Sequence, residues 1–240
     1  MAITAASVLD RASKIIQDTT NVRWPTVELV QWLNDGQREI ILHRPDANPR
    51  ASQVTLAAGT RQTLVTGTGS GGVGSSINPA KLLDIICNVS GSARTTAVRL
   101  VEREVLDSQT AGWHGSTATL SVAHYMTDPR DPLSFYVYPP ALVTSKVEVL
   151  FTAYPTDLVD PVGATTISLP DIYGNALLDY VLYRSYSKDS EYAGNATRAQ
   201  FHYGSFANSL GIELKGTLMM GPQVSGANWN PNAAKISPGA

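Results

Sequence analysis

At 240 residues, with 18 basic against 20 acidic side chains and a net charge of -2, the chain is long enough to bury a core without disulfides or a structural metal. No stretch gathers Lys or Arg into the cationic stripe that a phosphate backbone requires, which argues against tight binding of DNA or RNA. The single cysteine, Cys87, excludes an intramolecular disulfide and reads as a small buried apolar residue within Leu82–Val89.

The opening stretch MAITAASVLDRASKI lacks the basic flank, apolar run and small-residue cleavage site of a signal peptide. Apolar runs such as Lys81–Val89 and Ala176–Val181 are far shorter than the roughly 20 residues that cross a bilayer, so no membrane span is expected. Thr4 can cap a first helix whose apolar face is Val8, Ala12, Ile15 and Ile16 and which ends near Thr19–Asn21. A second helix starts at Pro25 and Thr26, carries Glu28 in its first turn, and turns Leu29, Trp32, Leu33, Ile40 and Ile41 to one side. Pro45 stops it after His43, and the short connector Asn21–Pro25 predicts an antiparallel helical hairpin.

From about Arg50 to Leu169 the apolar period becomes that of strands. Val54–Leu56 and Gln62–Val65 flank Ala57–Arg61, where Gly59 can take the positive φ of a hairpin loop. Further strands are predicted at Leu82–Val89, Ala97–Leu100, Thr119–Tyr125, Leu133–Tyr138 and Val147–Ala153, with a short helix at Val101–Ser108. Turn residues rather than crossover helices separate the strands, which predicts a mainly antiparallel sandwich or barrel.

Helix returns after Leu169 and Pro170, with Asp171 as the cap and apolar residues around much of the circumference at Ile172, Ala176, Leu177, Tyr180, Val181 and Tyr183. Gly194 and Asn195 interrupt it. A last helix then places Ala199, His202, Tyr203, Phe206 and Leu210 on one face, with Gly211 as its left-handed stop. The expected fold class is α+β: residues 1–49 and 169–215 form an antiparallel helical bundle, 50–168 an inserted β domain, and 216–240 an extended tail. The stretch GTGSGGVGSS at Gly67–Ser76 reads as a flexible connector.

No motif carries chemistry. Gly67, Gly69 and Gly72 match G-x-G-x-x-G, but Ser75, Ser76, Ile77, Asn78 and Pro79 follow, with no helix start to hold a pyrophosphate. His43, His114, His124 and His202 lack metal-ligand spacing, and His202 reads as a hydrogen-bonded packing residue. Asp128 and Asp131, flanked by prolines, read as turn carboxylates. No serine stands in a G-x-S-x-G setting. Tyr136, Tyr138 and Tyr154 alternate as a sheet face against a core would. These readings point to a non-enzymatic protein without metal or cofactor.

Two segments carry a resemblance. WPTVELVQWLNDGQREIILHRPDA, from Trp24 to Ala47, and LPDIYGNALLDYVLYRSYSKDSEYAGNATRAQFHYGSFANSLG, from Leu169 to Gly211, resemble the helical parts of head-to-tail adaptor (connector) proteins of short-tailed bacteriophages. The resemblance implies a structural virion protein, made in the host cytoplasm and placed in the neck. It further implies a homo-oligomeric ring of about twelve copies beneath the portal protein, continuing a channel through which DNA passes without sequence-specific binding and offering its far side to the tail nozzle protein. The tail is expected to order on the portal through Met219, Met220, Trp229, Asn230 and Pro231, whose apolar members lose free energy in water. Gly69, Gly71 and Val73 are candidates for contact with the nozzle. Rival readings are another neck or tail-tube subunit, a glycan-binding or glycan-cleaving virion protein using the β domain, and a DNA-binding assembly factor.

Overall fold

The computed structural model describes residues 3–159, 165–192 and 194–220, with 212–220 given by their backbone alone. The first helix, α1 (Ala5–Ile15), is capped as its sequence predicts: Thr4 Oγ1 accepts the Ser7 N–H at 3.2 Å. It stops short of Thr19 because Asp18 is engaged elsewhere. Its carboxylate accepts the backbone N–H groups of Val22, Arg23 and Trp24 at 3.1, 2.9 and 3.0 Å, and Gln17 and Asn21 take positive φ to make the turn. The chain is thereby aimed into α2 (Thr26–His43).

These N–H donors, that of Trp24 first, hold the Asp18 carboxyl below its ordinary range against the opposing effect of burial. A depressed folded pKa means that the stabilisation is complete above the unfolded carboxylate value of about 3.9 and is lost as pH falls through the folded value. Asp18→Asn, which imitates the protonated acid, should therefore lower the melting temperature at pH 7. Near pH 2 it should melt with the parent. Thermal melts at the two pH values check this, and an equal loss at both would contradict it.

The helical core is organised by α4 (Gly174–Lys188), which contacts α1, α2 and α5 (Asn195–Met220). Leu177, Tyr180, Val181, Leu182 and Tyr186 are all buried there with Leu29, Leu33 and Ile40 of α2, Val8 and Ala12 of α1, and Phe206 and Leu210 of α5. Its wide apolar girth is thus largely covered by the helices of its own chain. α2 and α4 approach closely at Gly36, where a Cβ would lie 2.9 Å from Tyr180 Cδ1. Asp171 to Tyr173 form a 3-10 turn before α4, and the Asp171 carboxylate accepts the Ile3 N–H at 2.7 Å. Gly194, at φ +87°, redirects the chain into α5.

α5 runs through Gly211 and Gly216 to Met220, past the stop expected at Gly211. Ile212, Glu213, Leu214 and Lys215 follow that glycine without a proline or turn residue. A lone glycine costs a helix only about 1 kcal/mol, too little to end it against such a sequence.

The β domain is a sandwich. One sheet has the order β1 (Pro49–Thr55), β8 (Lys146–Ala153), β3 (Pro79–Ser90), β4 (Ala93–Ala97); the other has β2 (Gly59–Thr63), β7 (Asp131–Ala141), β6 (His124–Asp128), β5 (Arg99–Leu100). All pairings are antiparallel except the short β5–β6 pair. Alternate residues, among them Val147, Val149 and Phe151 of β8 and Phe135 and Val137 of β7, meet in the core between the sheets. The short α3 (Arg103–Gln109) and the turn at Trp113 close a second small core, Leu106, Trp113 and Met126, against Tyr136 and Tyr138.

Two strand expectations change. β1 and β2 are not a hairpin, since each belongs to a different sheet. The buried Gln62 side chain braces the crossing, accepting the Ala57 N–H at 2.7 Å and donating to the Ala57 and Gly59 carbonyls at 2.8 and 3.0 Å, while Gly59 holds φ +100°. Passing between sheets lets Val54, Leu56 and Leu64 fill one core from both sides. The strand expected from Thr119 begins only at His124. Val122 gives its N–H and carbonyl to the Asn88 side chain at 2.9 and 2.7 Å, so no ladder forms there.

The sandwich is joined to the helices at the carbonyl end of β8. Thr152 Oγ1 donates to the Pro45 carbonyl, Asn48 Nδ2 to that of Ala153 at 3.0 Å, and Asn34 brackets the N–H and carbonyl of Leu158, both at 2.9 Å.

Candidate assembly surfaces

Several polar groups are tied into structure. Glu148, buried on β8, receives Arg94 Nε and Nη2 at 2.5 and 2.6 Å and the Cys87 Sγ–H at 3.6 Å. The Arg94 guanidinium holds Glu148 below the ordinary carboxylate range, and burial, with Glu148 beside it, pushes the Cys87 thiol up. A thiol held protonated is a poor nucleophile. Cys87 is buried as predicted, but against a carboxylate rather than among apolar groups alone. The Tyr125 hydroxyl, raised by burial and by its partner, donates to Asp84 Oδ1 at 2.6 Å and links the two sheets.

His202 pairs with Asp179 Oδ1 at 2.9 Å and stacks on Tyr186, a packing role between α4 and α5. Asp128 accepts the Arg130 N–H at 2.9 Å, and Asp131 lies 3.8 Å from Arg61, as turn carboxylates would. Among the described residues, no group of three or more His, Cys, Asp and Glu side chains is gathered so as to hold a metal ion.

The Gly67–Ser76 stretch, expected to be a flexible connector, is a hydrogen-bonded turn along β1. Gly67 and Gly74 exchange N–H and carbonyl at 2.9 and 2.8 Å, Gly71 N–H donates to Thr55 O at 2.8 Å, and Ser52 Oγ donates to Val73 O at 3.0 Å. The glycines are needed for close backbone approach: a Cβ at Gly71 would fall 2.0 Å from Thr63 O, and one at Gly72 2.3 Å from Gly67 O. Of the three residues nominated for the nozzle, Gly69 is exposed, Gly71 is buried, and Val73, only 2% exposed, belongs to the sandwich core. The turn covers the outer edge of β1, which would otherwise offer unpaired backbone groups.

Exposed apolar side chains occur along the whole chain, and three of them stand together elsewhere on the sandwich. At the tip of the sandwich, the β7–β8 turn holds Val143, 61% exposed, beside Leu142, and Leu120 stands next to them, also 61% exposed. This tip is rigid. Leu142 N–H donates to Ser145 Oγ at 3.1 Å and to Thr119 O at 3.2 Å, and Ser145 Oγ donates to Thr119 O at 3.1 Å. β8 runs from the tip to the helical junction, so at about 3.3 Å per residue the two ends are roughly 25 Å apart. The signal was legible as two apolar residues in the turn PALVTS, a position where polar residues are usual.

The helical end offers further apolar surface: Leu42 and Phe201 are 73% and 68% exposed, and an open groove of about 250 Å³ is lined by His43, Arg44, Tyr203, Phe206, Ala207 and Leu210. Met219 and Met220, nominated for the portal, lie in the last turn of the α5 backbone. Trp229, Asn230 and Pro231 lie outside the described residues. No described helix is long and apolar enough to cross a membrane.

A family model described as SU10 adaptor protein matches residues 3–230, in agreement with the resemblance carried by the two helical segments. No curated protein matches the chain.

Proposed function

We propose that this chain, which belongs to the SU10 adaptor protein family, is a structural subunit that joins the head of a bacteriophage to its tail and acts by shape and association rather than catalysis. In this reading it is made in the host cytoplasm and assembles as a ring of about twelve copies beneath the portal protein. The ring continues the DNA channel. The helical end, arranged as a bundle, faces the portal, and the sandwich tip faces the tail nozzle.

One observation carries the reading beyond family membership. The body carries exposed apolar side chains at both ends, at the Leu120–Val143 tip and at the α2–α5 end, separated by the length of a strand, while the buried Glu148 and the Tyr125 hydroxyl are engaged in internal bonds. A molecule that joins two partners needs two such surfaces; an enzyme needs a reactive group facing a cleft. A net charge of -2 also suits a channel wall, because each added cation would hold DNA by counterion release.

The C-terminal segment is assigned to the portal, with Met219, Met220, Trp229, Asn230 and Pro231 as its docking residues. Deleting residues 216–240 should leave the melting temperature of the rest unchanged and reduce co-sedimentation with purified portal at least tenfold. Undiminished co-sedimentation would remove the tail from the portal contact, and a full-length chain that never co-sediments would remove the adaptor reading itself.

A further inference from the structure

The joint between the helices and the sandwich holds a second open groove, of about 390 Å³. Ile41, Leu42 and Pro45, at the end of α2, form one wall, and Ala80, Pro132 and Tyr154, at the base of the sandwich, form the other. Leu42 is 73% and Tyr154 47% exposed, so apolar surface meets solvent on both walls. The walls are fixed in place: the Tyr154 N–H donates to the Asn78 carbonyl at 2.8 Å, and Thr152 Oγ1 donates to that of Pro45.

Three charged side chains also line this groove, and two are already engaged. Arg38 donates to both carboxylate oxygens of Asp157, at 2.7 and 2.6 Å, and Glu39 meets His43 at 3.3 Å. Lys81 is exposed and has no ion pair among the described residues. The groove therefore suits an apolar side chain with a carboxylate beside it.

That combination stands at the opposite end of the helices. In the connector between α4 and α5, Tyr192 is 61% exposed and follows Glu191, itself exposed and without an ion pair among the described residues. The knob is ordered. The Tyr192 N–H donates to the Asp189 carbonyl at 3.1 Å, its carbonyl accepts the Asn195 N–H at 3.1 Å, and the Arg23 guanidinium lies 4.6 Å from the ring centre. Ion pairs of Arg23 with Asp189 and of Lys188 with Glu28, the latter at 2.5 Å, tie this connector to the start of α2. The groove lies at the end of α2, 18 residues on, so knob and groove are roughly 27 Å apart on one subunit. A chain cannot fill its own groove with its own Tyr192 across that distance. Another copy can, and the two surfaces share no residue, as a head-to-tail contact requires.

We propose that Tyr192 of one copy seats between Leu42 and Tyr154 of the next, with Glu191 against Lys81, and that this contact joins neighbouring subunits of the ring. The proposal rests on the adaptor reading and adds the surface by which copies meet. Tyrosine is among the residues that supply most of the affinity at such contacts, and Tyr154 with two prolines offers its ring flat apolar surface.

The test uses the full chain with purified portal. Leu42→Cys combined with Tyr192→Cys should give, on oxidation of the assembled complex, a ladder of covalent multimers, whereas each single variant gives none. Cys87 is buried and serves as the unreactive control. Lys81→Glu should keep the melting temperature of the free chain and lower the number of complete rings at least tenfold, and adding Glu191→Lys should restore them. Rings formed by Lys81→Glu at parental levels, or a double cysteine variant without a ladder, would overturn the contact while the parent's rings leave the adaptor reading standing. A ladder from Leu42→Cys with Val105→Cys instead, beside the exposed Glu104 of α3, would overturn it in favour of a different segment. If the parent chain forms no ring on the portal, both readings fall.

Discussion

Gly36→Leu should destabilise the protein by about 3 kcal/mol or more, a large part of the 5–15 kcal/mol that holds a domain folded. A Cβ at this position already lies 2.9 Å from Tyr180 Cδ1, 3.2 Å from its Cγ and 3.3 Å from Leu177 Cδ2. Three more carbons have no room unless α2 and α4 part, and α4 is the helix on which α1, α2 and α5 converge. Gly36→Ala provides the internal comparison. Its single methyl asks the Tyr180 ring to shift by a few tenths of an ångström, and the gain in helix propensity, about 1 kcal/mol, offsets much of that. Urea unfolding should therefore show the alanine variant near the parent and the leucine variant far below it. Leucine tolerated within 1 kcal/mol would mean that the two helices do not meet at Gly36.

The largest functional effect is expected at the sandwich tip. Leu120→Asp with Val143→Asp replaces two side chains, each 61% exposed, so the free protein should keep its stability within about 0.5 kcal/mol. Binding should suffer far more. Each apolar side chain withdrawn from water on docking contributes about 1.5 kcal/mol or more, and losing both amounts to roughly a hundredfold in affinity. Capture of purified tail nozzle on portal–adaptor assemblies measures this directly. Nozzle retained at parental levels would show that the tip is not the attachment surface.

What could be read from the residues alone depended on whether the decisive interaction was local. The start of α2 at Thr26, its end at His43 and the Thr4 cap of α1 follow from side chains within a turn of the feature they specify. The α+β class and most strands followed from period alone. The premature end of α1 did not, because Asp18 had to be seen gathering three N–H groups ahead of it. Likewise, the passage of the chain between sheets at Ala57–Arg61 depends on Gln62 folding back on the turn, where the turn residues by themselves suggested a hairpin.

The glycine-rich stretch gave the most misleading signal. Its composition is that of a flexible linker, yet Gly71 and Gly72 are small because backbone carbonyls stand where their Cβ atoms would be. Composition cannot separate a glycine that allows motion from one that allows contact. The exposure of Leu120 was hidden for a related reason: an apolar residue in a strand pattern is assigned to a core until the partner elements are known. The apolar breadth of α4 was visible, but only the packing of α1, α2 and α5 around it showed that the chain itself uses that surface.

The central claim, that this molecule works as a ring between two partners, is tested most directly by electron microscopy of the purified chain mixed with purified portal. The account predicts a closed ring on one face of the portal, with the sandwich tips pointing away from it and a continuous central channel. A chain that remains single and unattached in the presence of saturating portal would contradict it.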